Sequence, residues 1–251
     1  MKTQIDSYFP KGGFMSFNNE SRRRYGGLVI QNLALYVTVI FSIGYLLLRT
    51  EFGIRLYVEY LAFFPKQVLS GQVWRILTAI FFPPSNTSNV LLGALSIFIY
   101  YNFASAVERS IGEKDYNRYF FGSILAGELG TVLYYLITGD NFWFLPVYTH
   151  FSVFMAYAIL YSESSVLLFF VIPVKVRWIA LFELAAYLFE LVNALLSKDL
   201  YTVISIISAL IPVGVYYLAV QKRRTGENLI GRIRFMEKQR KRRKEWQDQW
   251  K

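Results

Sequence analysis

The stretch Leu145–Tyr161, LPVYTHFSVFMAYAILY, decides how the rest of the chain reads. It is apolar, and it carries the only histidine in the chain, His150. Small residues recur along it at Ser152, Ala156 and Ala158, so neighbouring helices can approach it closely. It reads as the central span of an all-α, six-helix, multi-pass membrane bundle.

Composition bears on this class. The chain has 251 residues, 55% of them hydrophobic, 18% aromatic and only 18% charged; its mean hydropathy is +0.33. A soluble domain of this size is richer in charge. Several apolar runs reach the ~20 residues that cross a ~30 Å hydrocarbon core. With no cysteine, thiolate chemistry and cysteine-built metal sites are excluded. One histidine cannot make a multi-histidine metal site, so no metal and no cofactor are expected. Met1–Asn19 lacks the uninterrupted apolar core of a signal peptide.

Working outward from the central stretch, the spans are predicted at 27–48, 90–107, 119–137, 145–161, 176–196 and 201–220. Between the first two lies 49–88, with apolar patches Ile54–Phe64 and Val73–Phe82 that are each too short to cross. Their aromatic content predicts a partly embedded outer loop with Trp74 at headgroup level. Glu108–Asn117 is a short charged turn. Gly122, Ala126 and Gly130 form a small-xxx-small stripe on the third span. Val166–Val174 is again too short to cross and reads as an interfacial stretch lying flat. Pro212 predicts a kink in the last span.

Six spans put both termini on one side. Of the 27 Lys and Arg, only Arg49, Arg55, Lys66, Arg75 and Lys198 fall on the other side. The bias predicts both termini in the cytoplasm, and the expected location is the cell membrane. The tail 1–26 and the basic tail 221–251 then face anionic lipid headgroups, and no nucleic acid is expected. Glu128, Glu183 and Glu190 each cost about 2.5–3.5 kcal/mol at the bilayer centre, so they are expected to face the bundle or a cavity.

Three motifs carry a family resemblance. GQVWRILTAIFF (Gly71–Phe82), with Trp74-Arg75, resembles the Trp-Arg motif of the rhomboid superfamily. Ala104–Gly130 resembles that family's junction between its second and third spans, with Ala104, Glu108 and Gly112 at the small, acidic and glycine positions. IPVKVRW (Ile172–Trp178) is also similar. The resemblance, derlin-like in character, covers Gly71–Val220 and implies a rhomboid-like six-span bundle.

It also implies what to look for in chemistry. Active rhomboids place a Gly-x-Ser-Gly nucleophile on the fourth span and a histidine base on the sixth; a serine hydroxyl needs such a base. Here His150 stands at the serine position, flanked by Tyr148 and Phe151. A shift of two residues offers Ser152, between His150 and Val153. The sixth span, LYTVISIISALIPVGVYYL, has no histidine. The expectation is a pseudoprotease, not an enzyme. It would bind transmembrane segments of client or partner proteins, with Trp74, Arg75, His150 and Ser152 as the substrate-binding candidates. The alternatives are a small transporter or channel using Glu128, Glu183, Glu190 and His150, or a divergent intramembrane serine protease.

Overall fold

A computed structural model describes residues 29–85, 87–168 and 172–221. The expected tails, including the basic segment after Gln221, lie outside the described residues. The helices are α1 (Leu33–Leu47), α2 (Glu51–Leu56), α3 (Pro65–Leu69), α4 (Arg75–Thr78), α5 (Val90–Ile111), α6 (Glu113–Thr138), α7 (Val147–Leu160), α8 (Val176–Ser197) and α9 (Leu200–Gln221). A π turn, Tyr57–Leu61, extends α2.

Among the described residues, α5, α6, α8 and α9 are each long and apolar enough to cross a membrane. The α1 helix passes that test only together with α2 and its π turn, and the pair is bent by 120°. The bend follows from Arg49-Thr50: the Thr50 hydroxyl accepts the Gly53 N–H at 3.0 Å and starts a new helix. The α7 helix has 14 residues, short for a span.

The first expected span starts later than its apolar run. Asn32 sits in the left-handed region, φ 52°, and α1 begins after it. The cause is tertiary. Glu108, near the end of α5, accepts the Leu33 N–H at 2.7 Å and the Ala34 N–H at 3.2 Å. A carboxylate thus satisfies two of the four orphan donors at the start of α1 and complements its dipole. Beside it, Asn117 exchanges two hydrogen bonds with the backbone of Ile30. Glu108 therefore caps a distant helix, not the turn it adjoins. Gly112 makes that turn at φ 86°, where a side chain would be strained.

The core sits where α1, α5, α6 and α7 converge, around Phe41, Tyr100, Ala104, Val107, Phe120, Val153 and Ala156. Ala104 is wholly buried there. Small residues set the closest approaches. A Cβ on Gly127 would stand 3.2 Å from the Thr149 hydroxyl, and one on Gly130 would stand 2.9 Å from the Ser208 Cβ. By contrast, Gly122 has nothing within 4 Å of a Cβ position. Only the Gly130 end of the expected small-residue stripe is a helix contact.

Two stretches take a local structure that the sequence left open. Within the stretch expected to lie flat, β1 (Ser165–Leu168) and β2 (Ile172–Lys175) pair antiparallel, Val166 opposite Val174. Lys175 and Arg177 clasp the base of this pair by donating to Glu163 at 3.0 and 2.7 Å. Pairing satisfies backbone groups that a flat extended segment would leave open at an interface. The last helix runs unbroken through Pro212. Its first turn is capped by Asp199, which accepts from the Thr202 N–H at 3.2 Å.

Candidate functional site

The segment 49–88 forms a folded cap, and Arg75 is its organiser. Its side chain is only 2% exposed. The guanidinium donates to the Ala62 carbonyl at 2.6 Å, to the Glu59 carbonyl, and from Nε to Gln72 Oε1 at 2.6 Å. Only a planar fork of five donors can bridge two carbonyls and an amide in this way. Around it, Thr78 donates to the Leu61 carbonyl at 2.8 Å, and Tyr57 to the Ala79 carbonyl at 3.1 Å. Trp74 is half-exposed, its indole N–H on the Tyr60 carbonyl at 3.0 Å. Arg75, a substrate-binding candidate by sequence, thus faces loop backbone: the π turn Tyr57–Leu61 leaves carbonyls that need a donor.

Beneath the cap lies the start of α7. His150 is buried, with Nε2 3.1 Å from the Phe82 carbonyl. Phe41 and Tyr100 meet its ring edge-on, with centroids at 4.8 and 5.6 Å. Phe82 precedes Pro83-Pro84, so its backbone is held extended (ψ 118°) and its carbonyl is not used by a helix. Ser152 is fully buried, and its hydroxyl donates to the Thr149 carbonyl of its own helix at 2.7 Å. The Ser152 carbonyl accepts from Tyr119 at 2.5 Å. His150 and Ser152 therefore have separate partners, on the cap and on α7 itself. Both are buried inside the bundle and not presented on its outer surface.

Glu128 on α6 is 2% exposed, and among the described residues neither carboxylate oxygen has a hydrogen bond. The Thr149 hydroxyl and His150 Nδ1 share that condition. Glu128 lies near enough to Tyr57 to interact electrostatically. Unpartnered polar atoms at such depth are costly, so this polar patch between α6, α7 and the cap is a feature that packing alone does not explain.

The carboxylates of α8 behave differently. The sequence expects them to face the bundle or a cavity; Glu183 is half-exposed, and Glu190, although exposed, bonds to a tyrosine of α7. The α8 helix packs mainly along α7 and β2, leaving Phe182, Phe189 and Leu196 outside. Glu190 accepts from the Tyr148 hydroxyl at 2.8 Å, and Tyr187 stacks on Phe151 with centroids 4.1 Å apart. The sequence names Tyr148 and Phe82 only as members of motifs, not as partners of Glu190 and His150. The Pro-Pro step was the signal for Phe82; for Tyr148 there was none, because its partner is 42 residues away.

The arrangement defines an all-α, polytopic integral membrane protein. It has a folded cap over a short central helix, and the helix seated deepest in the polar patch carries the single histidine. The comparison with family models agrees with that class. Residues 32–227 match the family described as "Eukaryotic integral membrane protein (DUF1751)", and the chain belongs to it. No curated protein and no solved structure matches the chain.

Proposed function

We propose that this protein is a rhomboid-like scaffold that holds transmembrane segments of client membrane proteins without cleaving them. One observation carries the reading. The two residues that could replace the rhomboid nucleophile are both engaged elsewhere, Ser152 on the Thr149 carbonyl and His150 on the Phe82 carbonyl. Nucleophilic catalysis needs a hydroxyl and a base within reach of each other. The binding half rests on α8, an apolar helix loosely docked at the bundle edge, with exposed Phe182 and Phe189 and a polar contact, Tyr148–Glu190, behind them.

A photoreactive residue placed at Phe182 or Phe189 in native membranes tests this. Crosslinks to single-pass or multi-pass proteins are expected there, and not from Leu91 on α5. Cleavage of a model transmembrane substrate, or labelling of Ser152 by a fluorophosphonate, refutes the non-cleaving half. The transport alternative requires its carboxylates and histidine to share one cavity. It is disfavoured by Glu190 lying exposed on α8 while Glu128 is buried on α6.

A further inference from the structure

The α8 helix carries a seam unlike the rest of its surface. Glu183, Ala186, Glu190, Asn193 and Ser197 recur at i, i+3, i+7, i+10 and i+14, so they share one line along the helix. Glu183 is half-exposed and the other four are exposed. Beside them stand residues that suit lipid, Phe182, Phe189 and Leu196. In hydrocarbon, small and polar side chains are used where a second helix packs. Alternating steps of three and four residues are the spacing along which two helices pack at a shallow angle.

The depth of the two acids narrows what that second helix can be. The α8 helix is long and apolar enough to cross a membrane. Its middle falls between Ala186 and Tyr187, and at 1.5 Å per residue Glu183 and Glu190 each lie about 5 Å from it. Arg177, the single basic residue of α8, stands at the helix start and donates to Glu163 at 2.7 Å. Among the described residues Glu183 has no hydrogen bond or ion pair, and Glu190 has only the Tyr148 hydroxyl. A carboxylate can accept about four hydrogen bonds, and at this depth it is costly unless paired.

We propose that α8 selects transmembrane helices that carry one Lys or Arg near their middle, laid along this seam with the cation between Glu183 and Glu190. The inference rests on the reading of α8 as the client-holding face and names the clients it takes. Ala186, between the two acids, leaves room for a long basic side chain. A purely apolar segment would bury both carboxylates without a cation. The ends of α8 are about 10 Å from either acid, so an ammonium in the headgroup layer does not reach them. A second copy of this chain does not supply the cation either. On the four long helices Arg109, Lys114, Arg118 and Arg177 all lie within two turns of a helix end.

The test uses the full-length protein in membranes, with a photoreactive residue at Phe189. It is co-expressed with single-pass Leu/Ala segments that differ only in a central Lys, Leu or Glu and insert to equal extents. The Lys segment is expected to crosslink about tenfold more than the Leu segment, the worth of one charge-assisted contact. The Glu segment should crosslink least. Glu183→Gln combined with Glu190→Gln should bring the Lys segment down to the Leu level, and a Gln oxygen can still accept from Tyr148. Glu190→Lys should reverse the order and favour the Glu segment, which a misfolded variant could not do. Equal crosslinking of the Lys and Leu segments overturns the charge selection while leaving α8 as a client-holding face. Absence of any segment at Phe189, or a second copy of this chain there instead, overturns that reading and the inference with it.

Discussion

Replacing Glu108 should unseat the first helix from the bundle. Its two carboxylate oxygens accept from Leu33 and Ala34, the first two residues of α1, at 2.7 and 3.2 Å. Both acceptor-bound residues are buried in the core, so water cannot replace the lost acceptor. Leaving a buried donor unsatisfied costs about 1–3 kcal/mol. Two such donors, with part of the cost relieved by fraying of α1, give about 3–5 kcal/mol for Glu108→Ala. Glu108→Gln keeps one acceptor but turns an amide N–H toward the second donor, for about 2 kcal/mol. The assay is reversible unfolding of the purified protein in mixed micelles with increasing denaturing detergent, followed by circular dichroism. Proteolysis of the α1–α2 junction is the second readout. An Ala variant within ~0.5 kcal/mol of the wild type would show that the capping carboxylate is not what holds α1, because ordinary surface substitutions fall in that range.

Other outcomes follow from the cap, the helix contacts and the paired strands. Arg75→Lys replaces a fork by a point donor and should destabilise the cap by about 2–4 kcal/mol, seen as faster proteolysis within 49–88 and a lower unfolding midpoint. Gly130→Leu should force α6 from α9 because Ser208 occupies the space, whereas Gly122→Leu should leave the unfolding midpoint unchanged. Parallel unfolding curves of the two variants check the contrast. Glu163 is held below the usual carboxylate range, first by its hydrogen bond from Lys175 and then by Arg177 and Lys175 charge. Its contribution is therefore present above the ordinary value of 4.5 and lost as pH falls through the lower folded-state value. Protection factors of the β1–β2 amides, corrected for the intrinsic pH dependence of exchange, should fall across that acidic window, and Glu163→Gln should remove this pH-linked change.

Membrane class, the long apolar helices and the buried position of Glu128 were legible in the chain by itself. Hydrocarbon imposes length and apolarity on every crossing segment, and it penalises a carboxylate that faces it. The fold of 49–88 was legible only as too short to cross and too aromatic to be a plain linker. That Arg75 turns inward depends on carbonyls released by the π turn, a local defect without a signature in residue type. The pairing of β1 with β2 was not legible, because a short apolar, β-branched run with a proline suits a single extended segment as well as a paired strand.

Partnerships across the chain were decided by packing. Glu108 caps α1 from 75 residues away, and His150 meets Phe82 across 68. Glu183 and Glu190 stay partly or largely exposed because α8 docks at the edge, although nothing in its own residues distinguishes it from the helices in the middle. Local physics acts on neighbours three and four residues apart, so sequence alone determined which long segments are apolar enough to cross a membrane and which groups are too polar to lie there unattended. Which face of each segment meets which other depends on contacts between distant residues, and only the assembled bundle decides it.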